Sequence, residues 1–288
     1  MTHELADVVI SGLSSGSTYA VMALGMALVY GISRVFNFAY GSFYSLGGYL
    51  AWLFLGHQIG YPAALACIIP GLFFIGTATE RFTLRPLRVR KNWEMLAMMS
   101  TLGLALFMDN LYLAVFGPFA KSLPVLFEGA VNTAGFVVSM QDIATTAIAM
   151  SIIVGLWFFL NRTRHGLAMR AVAQDMTGSE IVGIDKDRVF SYTFGIATVL
   201  VGAGGILLAP KYFVSPLGGW DILVKAWVIT AFGGMGSMLG AVYAAFILGM
   251  VEAFVAWQLG LTWTLLIWFV ILIVMFIVRP QGLRGSWG

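Results

Sequence analysis

Few residues in this 288-residue chain are of a type that could do chemistry, and those few stand apart from one another. The three histidines, His3, His57 and His165, have no partner at metal-ligand spacing. There is no HExxH pair, no Ser-centred GxSxG elbow and no phosphate-cradling GxxxxGKS or GxxxxGKT loop, so the chain reads as a non-enzyme that does not hydrolyse ATP itself. The single cysteine, Cys67, sits in an apolar run and reads as a small buried hydrophobe; one thiol makes neither an intrachain disulfide nor a metal cage. Two acids remain, Asp109 and Glu252, both in apolar surroundings. An ionisable group at membrane depth needs a partner or water to offset its desolvation. Glu252, in GMVEAF, is expected to face the bundle interior as a structural group. Asp109, beside Asn110, is expected near the outer end of its span, where an acid costs little.

The elements that must position these residues are hydrocarbon-like. Of the residues, 60% are hydrophobic and 10% charged, against about 25% charged in an ordinary soluble domain. This is the composition of a polytopic membrane protein. Twelve of the sixteen Lys and Arg fall within 81–91, 162–188 and 279–284, as the positive-inside rule expects of cytoplasmic loops. No basic face suited to nucleic acid is evident. The polar, slightly acidic start, Thr2 to Asp7, lacks a cleavable-signal pattern, so the first span is expected to insert uncleaved.

Spans of about 20 apolar residues are read at 8–30, 61–82, 95–116, 141–160, 190–209 and 262–278. Two further apolar stretches, 36–56 and 224–257, are interrupted by glycine and polar residues. They match at a constant offset of 193, pairing Gly41 with Gly234, Leu46 with Leu239, Gly47 with Gly240 and Ala51 with Ala244. The fold class expected is therefore an all-α polytopic membrane protein, with about eight membrane segments in two related halves, each carrying a Gly-broken or re-entrant helix. Paired breaks of this kind point to a transport pathway. The candidate pathway residues are Asn37, Tyr40, Gly41 and Ser42 at the first break, and Thr230, Gly233, Gly234, Gly236 and Ser237 at the second. Asn37 and Thr230 sit at equivalent places at this offset and either touch substrate or cap half-helices. Charge placement puts 117–140 outside and has 224–257 starting and ending outside. The repeat would then put the N-terminus inside, whereas Arg34 favours an outside N-terminus, and both orientations stay open.

One segment cannot lie in lipid. Between Arg162 and Arg188 stand five basic residues and the acids Asp175, Glu180, Asp185 and Asp187, each costing a few kcal/mol at the bilayer centre. Within it, 168–183 has helix-forming composition, with Met169, Val172, Ala173 and Met176 on one apolar face and Gly183 at the end. A short amphipathic helix between two spans, ringed by basic residues, is a surface for something cytoplasmic to grip.

Five motifs in order along nearly the whole chain resemble the permease subunits of ABC importers for branched-chain amino acids, of the LivH type. They are NFAYGSFYSLGGY from Asn37, ERFTLRPLR from Glu80, STLG from Ser100, RAVAQD from Arg170 with GIDKDRV from Gly183, and FGGMGSMLGA from Phe232 with GMVEAF from Gly249. The resemblance implies one transmembrane permease domain over 1–288 in the bacterial inner membrane, with 161–189 as its cytoplasmic coupling loop. Arg170, Ala171, Ala173, Asp175, Glu180, Gly183 and Ile184 would meet an ABC ATPase there, with Met169, Val172 and Met176 anchoring in its cleft. It further implies a second, different permease chain, two ATPases that carry ATP and Mg²⁺, an external solute-binding protein and a neutral amino acid as cargo; this chain itself would bind no cofactor. Tyr40 departs from the histidine of many relatives, and Met176-Thr177 from their acid or proline. Rival readings are an ABC permease for urea, short amides or another small polar metabolite, and a gradient-driven carrier working alone, which the scarcity of buried acids disfavours.

Overall fold

The computed structural model describes residues 2–125, 127, 129–133, 136–279 and 281–283. An apolar chain in lipid has no solvent to satisfy its amides, so its spans close their hydrogen bonds internally as helices. The helices are α1 (Thr2–Ser33), α2 (Tyr40–Gly56), α3 (Tyr61–Thr79), α4 (Trp93–Phe116), α5 (Met140–Arg162), α6 (Arg164–Gln174), α7 (Met176–Ile181), α8 (Lys186–Tyr212), α9 (Gly219–Gly233), α10 (Met238–Leu259) and α11 (Thr264–Val278). A π-turn at Glu80–Leu84 and a 3₁₀ turn at Arg85–Leu87 prolong α3. The loop before α5 carries a two-stranded antiparallel ribbon, β1 (Ala130–Thr133) against β2 (Phe136–Ser139), that the sequence reading left as plain loop.

Among the described residues, seven helical segments are long and apolar enough to cross a membrane, with α2 and α9 beside them. At 1.5 Å per residue the 15-residue α9 is about 22 Å long, short of the hydrocarbon core. The bundle is built around α1 and α8, whose apolar windows are 72% and 78% buried, against 11% for the segment ending in α11. Small residues let α1 lie along α10: a Cβ on Gly249 would come 2.6 Å from the Cα of Gly16. Cys67 lies on the exposed face of α3 rather than in the core, which corrects its reading as a buried hydrophobe.

The two breaks are real, but the constant offset does not describe them. The first is the extended stretch between α1 and α2, where Arg34 has φ +58°; the second is the turn between α9 and α10, where Gly234 and Gly236 have φ +102° and +82°. At an offset of 193, Gly41 in the first turn of α2 pairs with the C-cap of α9, and Asn37 pairs with Thr230 inside α9. Each break joins one helix directly to the next, α1 to α2 and α9 to α10. The ends of α1 give the orientation. Ser33 and Val35 line one small space with Leu84, Arg88 and Trp93, so α1 ends on the basic, cytoplasmic side. At its other end Ser14 donates to Asp142 at 2.9 Å and Ser11 accepts from Lys211 at 3.3 Å, both at the outer ends of α5 and α8. By the positive-inside rule this places the N-terminus outside, the orientation Arg34 favours, with each broken unit running in and back out.

Candidate functional site

Three polar constellations stand out. The first is on the cytoplasmic side. Thr163 caps α6 by accepting from the Gly166 amide at 3.1 Å, Asp175 caps α7 through Gly178 at 3.0 Å, and Asp185 caps α8 through Arg188 at 3.2 Å. Where one helix over 168–183 was expected, Asp175 in extended conformation (φ −149°, ψ 103°) divides it in two. A short acid that bonds its own downstream amides starts a new helix more readily than it continues an old one. Gly183, at φ +88°, ends the unit: its amide reaches Glu180 O at 3.0 Å and the Ile184 amide reaches Ser179 O at 3.0 Å.

The apolar face of α6 turns inward. Met169 and Val172 are 1% and 2% exposed and pack with Leu28, Leu156, Leu160 and Phe190, while half-buried Met176 and Ile184 adjoin the same cluster. These residues hold the loop to its own bundle and are not free to anchor in a partner's cleft, which corrects the expected roles of Met169, Val172 and Met176. Facing water instead are Ile181 and Val182, 81% and 75% exposed, beside Asp175, Glu180 and Gly183. Ala171 and Ala173 are half-buried. Arg170 is exposed and donates to Asn161 at 2.6 Å, tying α6 to the end of α5. The signal missed in the sequence was the pair Ile181-Val182, two large apolar residues next to a glycine stop.

The same side holds an ionic joint that sequence reasoning did not foresee. Asp187 on α8 accepts from Arg85 at 2.6 Å and Arg88 at 2.7 Å; Arg88 also pairs with fully buried Glu80, which accepts from Ser191. The Arg88 guanidinium lies 4.0 Å from the Phe190 ring centre. Burial pulls the Arg88 guanidinium below its ordinary range, and the charge of Asp187 opposes this.

The second constellation lies where α2, α4 and α9 meet. Asp109 is 3% exposed and accepts from Ser42 Oγ at 2.8 Å and Trp220 Nε1 at 2.9 Å. It is an interior hub, not the cheap outer-end acid expected. The third is Glu252, 2.7 Å from Lys225, whose ammonium also donates to Tyr19 Oη at 2.8 Å and lies over the Tyr19 and Trp268 rings. Lys225, in DILVKAW, went unnoticed in the sequence as the partner of this acid.

The candidate pathway residues fall into two groups. Asn37 is buried and accepts from the Ala39 amide at 3.0 Å, while the Tyr40 hydroxyl bonds Met22 O and Gly41 abuts Gly219. Thr230 is buried inside α9 and bonds Ala226 O at 2.7 Å, away from the break where it was expected. Gly233 packs on Gly240, Gly234 lies under Gly282, and Gly236 lies against Gly31, so the second break touches the end of α1 just before the first. Ser237 caps α10 and, alone among these residues, lines the cavity of about 380 Å³ bounded by Leu24, Leu156, Trp157, Arg170 and Val242. No cluster that could hold a metal is found among the described residues.

Residues 8–277 match the family model described as branched-chain amino acid transport system / permease component. The chain belongs to this family. The permease is 30% identical to the high-affinity branched-chain amino acid transport system permease protein BraD of Pseudomonas aeruginosa, over 98% of this chain and 96% of that one. It is 31% identical to LivH of Escherichia coli K12, covering 96% and 94%. The differently named permease LivM of the same strain also matches, at 28% identity over 92% of this chain and 67% of that one. This permease is thus a multi-pass protein of the bacterial inner membrane and a component of a transport system.

Proposed function

We propose that this chain is one of two unlike permease subunits of an ATP-driven importer for branched-chain or similar neutral amino acids. The observation that carries the reading is the loop between α5 and α8: fastened to the bundle through Met169 and Val172, it presents Ile181 and Val182 with Asp175, Glu180 and Gly183 to the cytoplasm. A partner gripping that tip would push on α5 and α8 as rigid levers. ATP and Mg²⁺ would reside on two cytoplasmic ATPases and cargo would arrive on an external solute-binding protein; this chain supplies the passage, near the breaks that hold Asn37 and Ser237 and the first turn of α2 that holds Ser42. For ATP to drive movement, the ATPases must bind the inward and outward forms unequally. Relatives named for both LivH and LivM support a second permease, and their names support an amino-acid cargo over urea or amides.

The test is uptake of labelled leucine by proteoliposomes holding the full assembly. Ile181→Asp with Val182→Asp should abolish uptake while leaving the bundle folded, since both side chains are exposed. Undiminished uptake, or uptake by this chain without any ATPase, would refute the reading.

A further inference from the structure

The ionic joint between the tail of α3 and the start of α8 belongs to no role described so far, yet it is built with unusual care. Glu80 is fully buried, Arg88 is held between two acids and an aromatic ring, and Asp187 takes two guanidinium groups at once. Asp187 stands two residues beyond Asp185, the cap at which the coupling loop becomes α8. On its other side Arg88 lines a narrow space together with Val35, Asn37 and Phe194, against the first break. The amide of Phe38, in that same break, donates to Thr101 of α4 at 3.1 Å. The charged contacts therefore run from the exit of the loop to Arg88, which borders the same small space as Val35 and Asn37 of the break that releases α2.

We infer that Glu80, Arg88 and Asp187 are positioning residues that transmit displacement of the coupling loop to the first broken helix. The inference rests on the coupling reading above. The physical reason is stiffness: a bundle of apolar helices slides on dispersion contacts with little directional preference, whereas buried charge-assisted bonds lock orientation as well as distance. Without the joint, α8 would tilt when the loop is pushed while α3 and the break stay behind. The loop would still be gripped and ATP would still be spent.

The experiment compares wild type, Asp187→Asn and Asp187→Glu in the complete transporter in proteoliposomes, measuring labelled leucine taken up per ATP hydrolysed. Asp187→Asn should lower that ratio by about 5- to 150-fold, the span of typical coupling energies, with ATPase subunits still bound and still hydrolysing. Asp187→Glu should restore most of it. An unchanged ratio in an assembled Asp187→Asn complex overturns the inference. Should that variant fail to assemble, Arg88→Lys decides: a lysine keeps a positive charge beside buried Glu80 but lacks the planar fork that pairs with Glu80 and Asp187 at once, and an unchanged ratio there is equally fatal. A wild-type complex in which the ATPases ignore the loop refutes the coupling reading instead, so the two failures are told apart.

Discussion

The ammonium of Lys225 lies 2.7 Å from a carboxylate oxygen of Glu252, joining α9 to α10 across the second break. Both side chains are largely buried, at 14% and 8% exposed, and Tyr19 and Trp268 close over the cation. A pair so placed tolerates the loss of both charges far better than the loss of one, because a lone survivor is left unsolvated. Lys225→Met or Glu252→Gln alone should each destabilise the folded permease by about 3–5 kcal/mol, and Lys225→Met with Glu252→Leu should recover most of that. Thermal unfolding in detergent measures this; a double variant no more stable than the singles would contradict it.

Asp109 ties together three helices that share no other buried charge at that point. Asp109→Ala would leave the indole N–H of Trp220 without an acceptor and the hydroxyl of Ser42 with only the Ala105 carbonyl at 3.4 Å, at about 1–3 kcal/mol. Ser42→Ala removes one donor and should cost less. The two effects should not add, since they share one partner. Strict additivity in a double-mutant cycle would mean that the hub is not a unit.

Gly41 and Gly219 let the first turns of α2 and α9 touch backbone to backbone, so that a Cβ on Gly41 would fall on the carbonyl oxygen of Gly219. Gly41→Val should force the two helices apart and lower the yield of folded protein, at a cost of about 1–3 kcal/mol or more. Gly71→Ala, where nothing lies within 4 Å of the added carbon, is the matched control and should be silent. Equal behaviour of the two variants in yield and melting temperature would disprove the contact.

With α1 running inward, a single cysteine at Asp7→Cys, in a Cys67→Ser background, should react with a membrane-impermeant maleimide on spheroplasts. One at Arg90→Cys should react only after the membrane is opened. The reverse pattern would turn the whole bundle over.

What could be read along the chain was whatever is decided locally. A span must satisfy its own backbone in lipid, so 20 apolar residues announce a helix whatever it packs against. Loop sidedness follows from where Lys and Arg cluster, and the loop between α5 and α8 from a charged stretch too costly to bury. Gly183 ends its helix because its own φ requires it.

What only the tertiary structure decided is which faces of these helices meet. In α1 and α8 apolar residues run all round, so no stripe marks an inner side. Lys225 finds Glu252 at 27 residues' separation and Tyr19 at 206, and Asp187 finds Arg85 at 102. The inward turn of Met169 and Val172, the outward-facing Cys67 and the contact of the second break with the end of α1 have the same origin. Each depends on a helix's rotation about its axis, set by packing with neighbours distant in the chain, which composition and spacing do not encode.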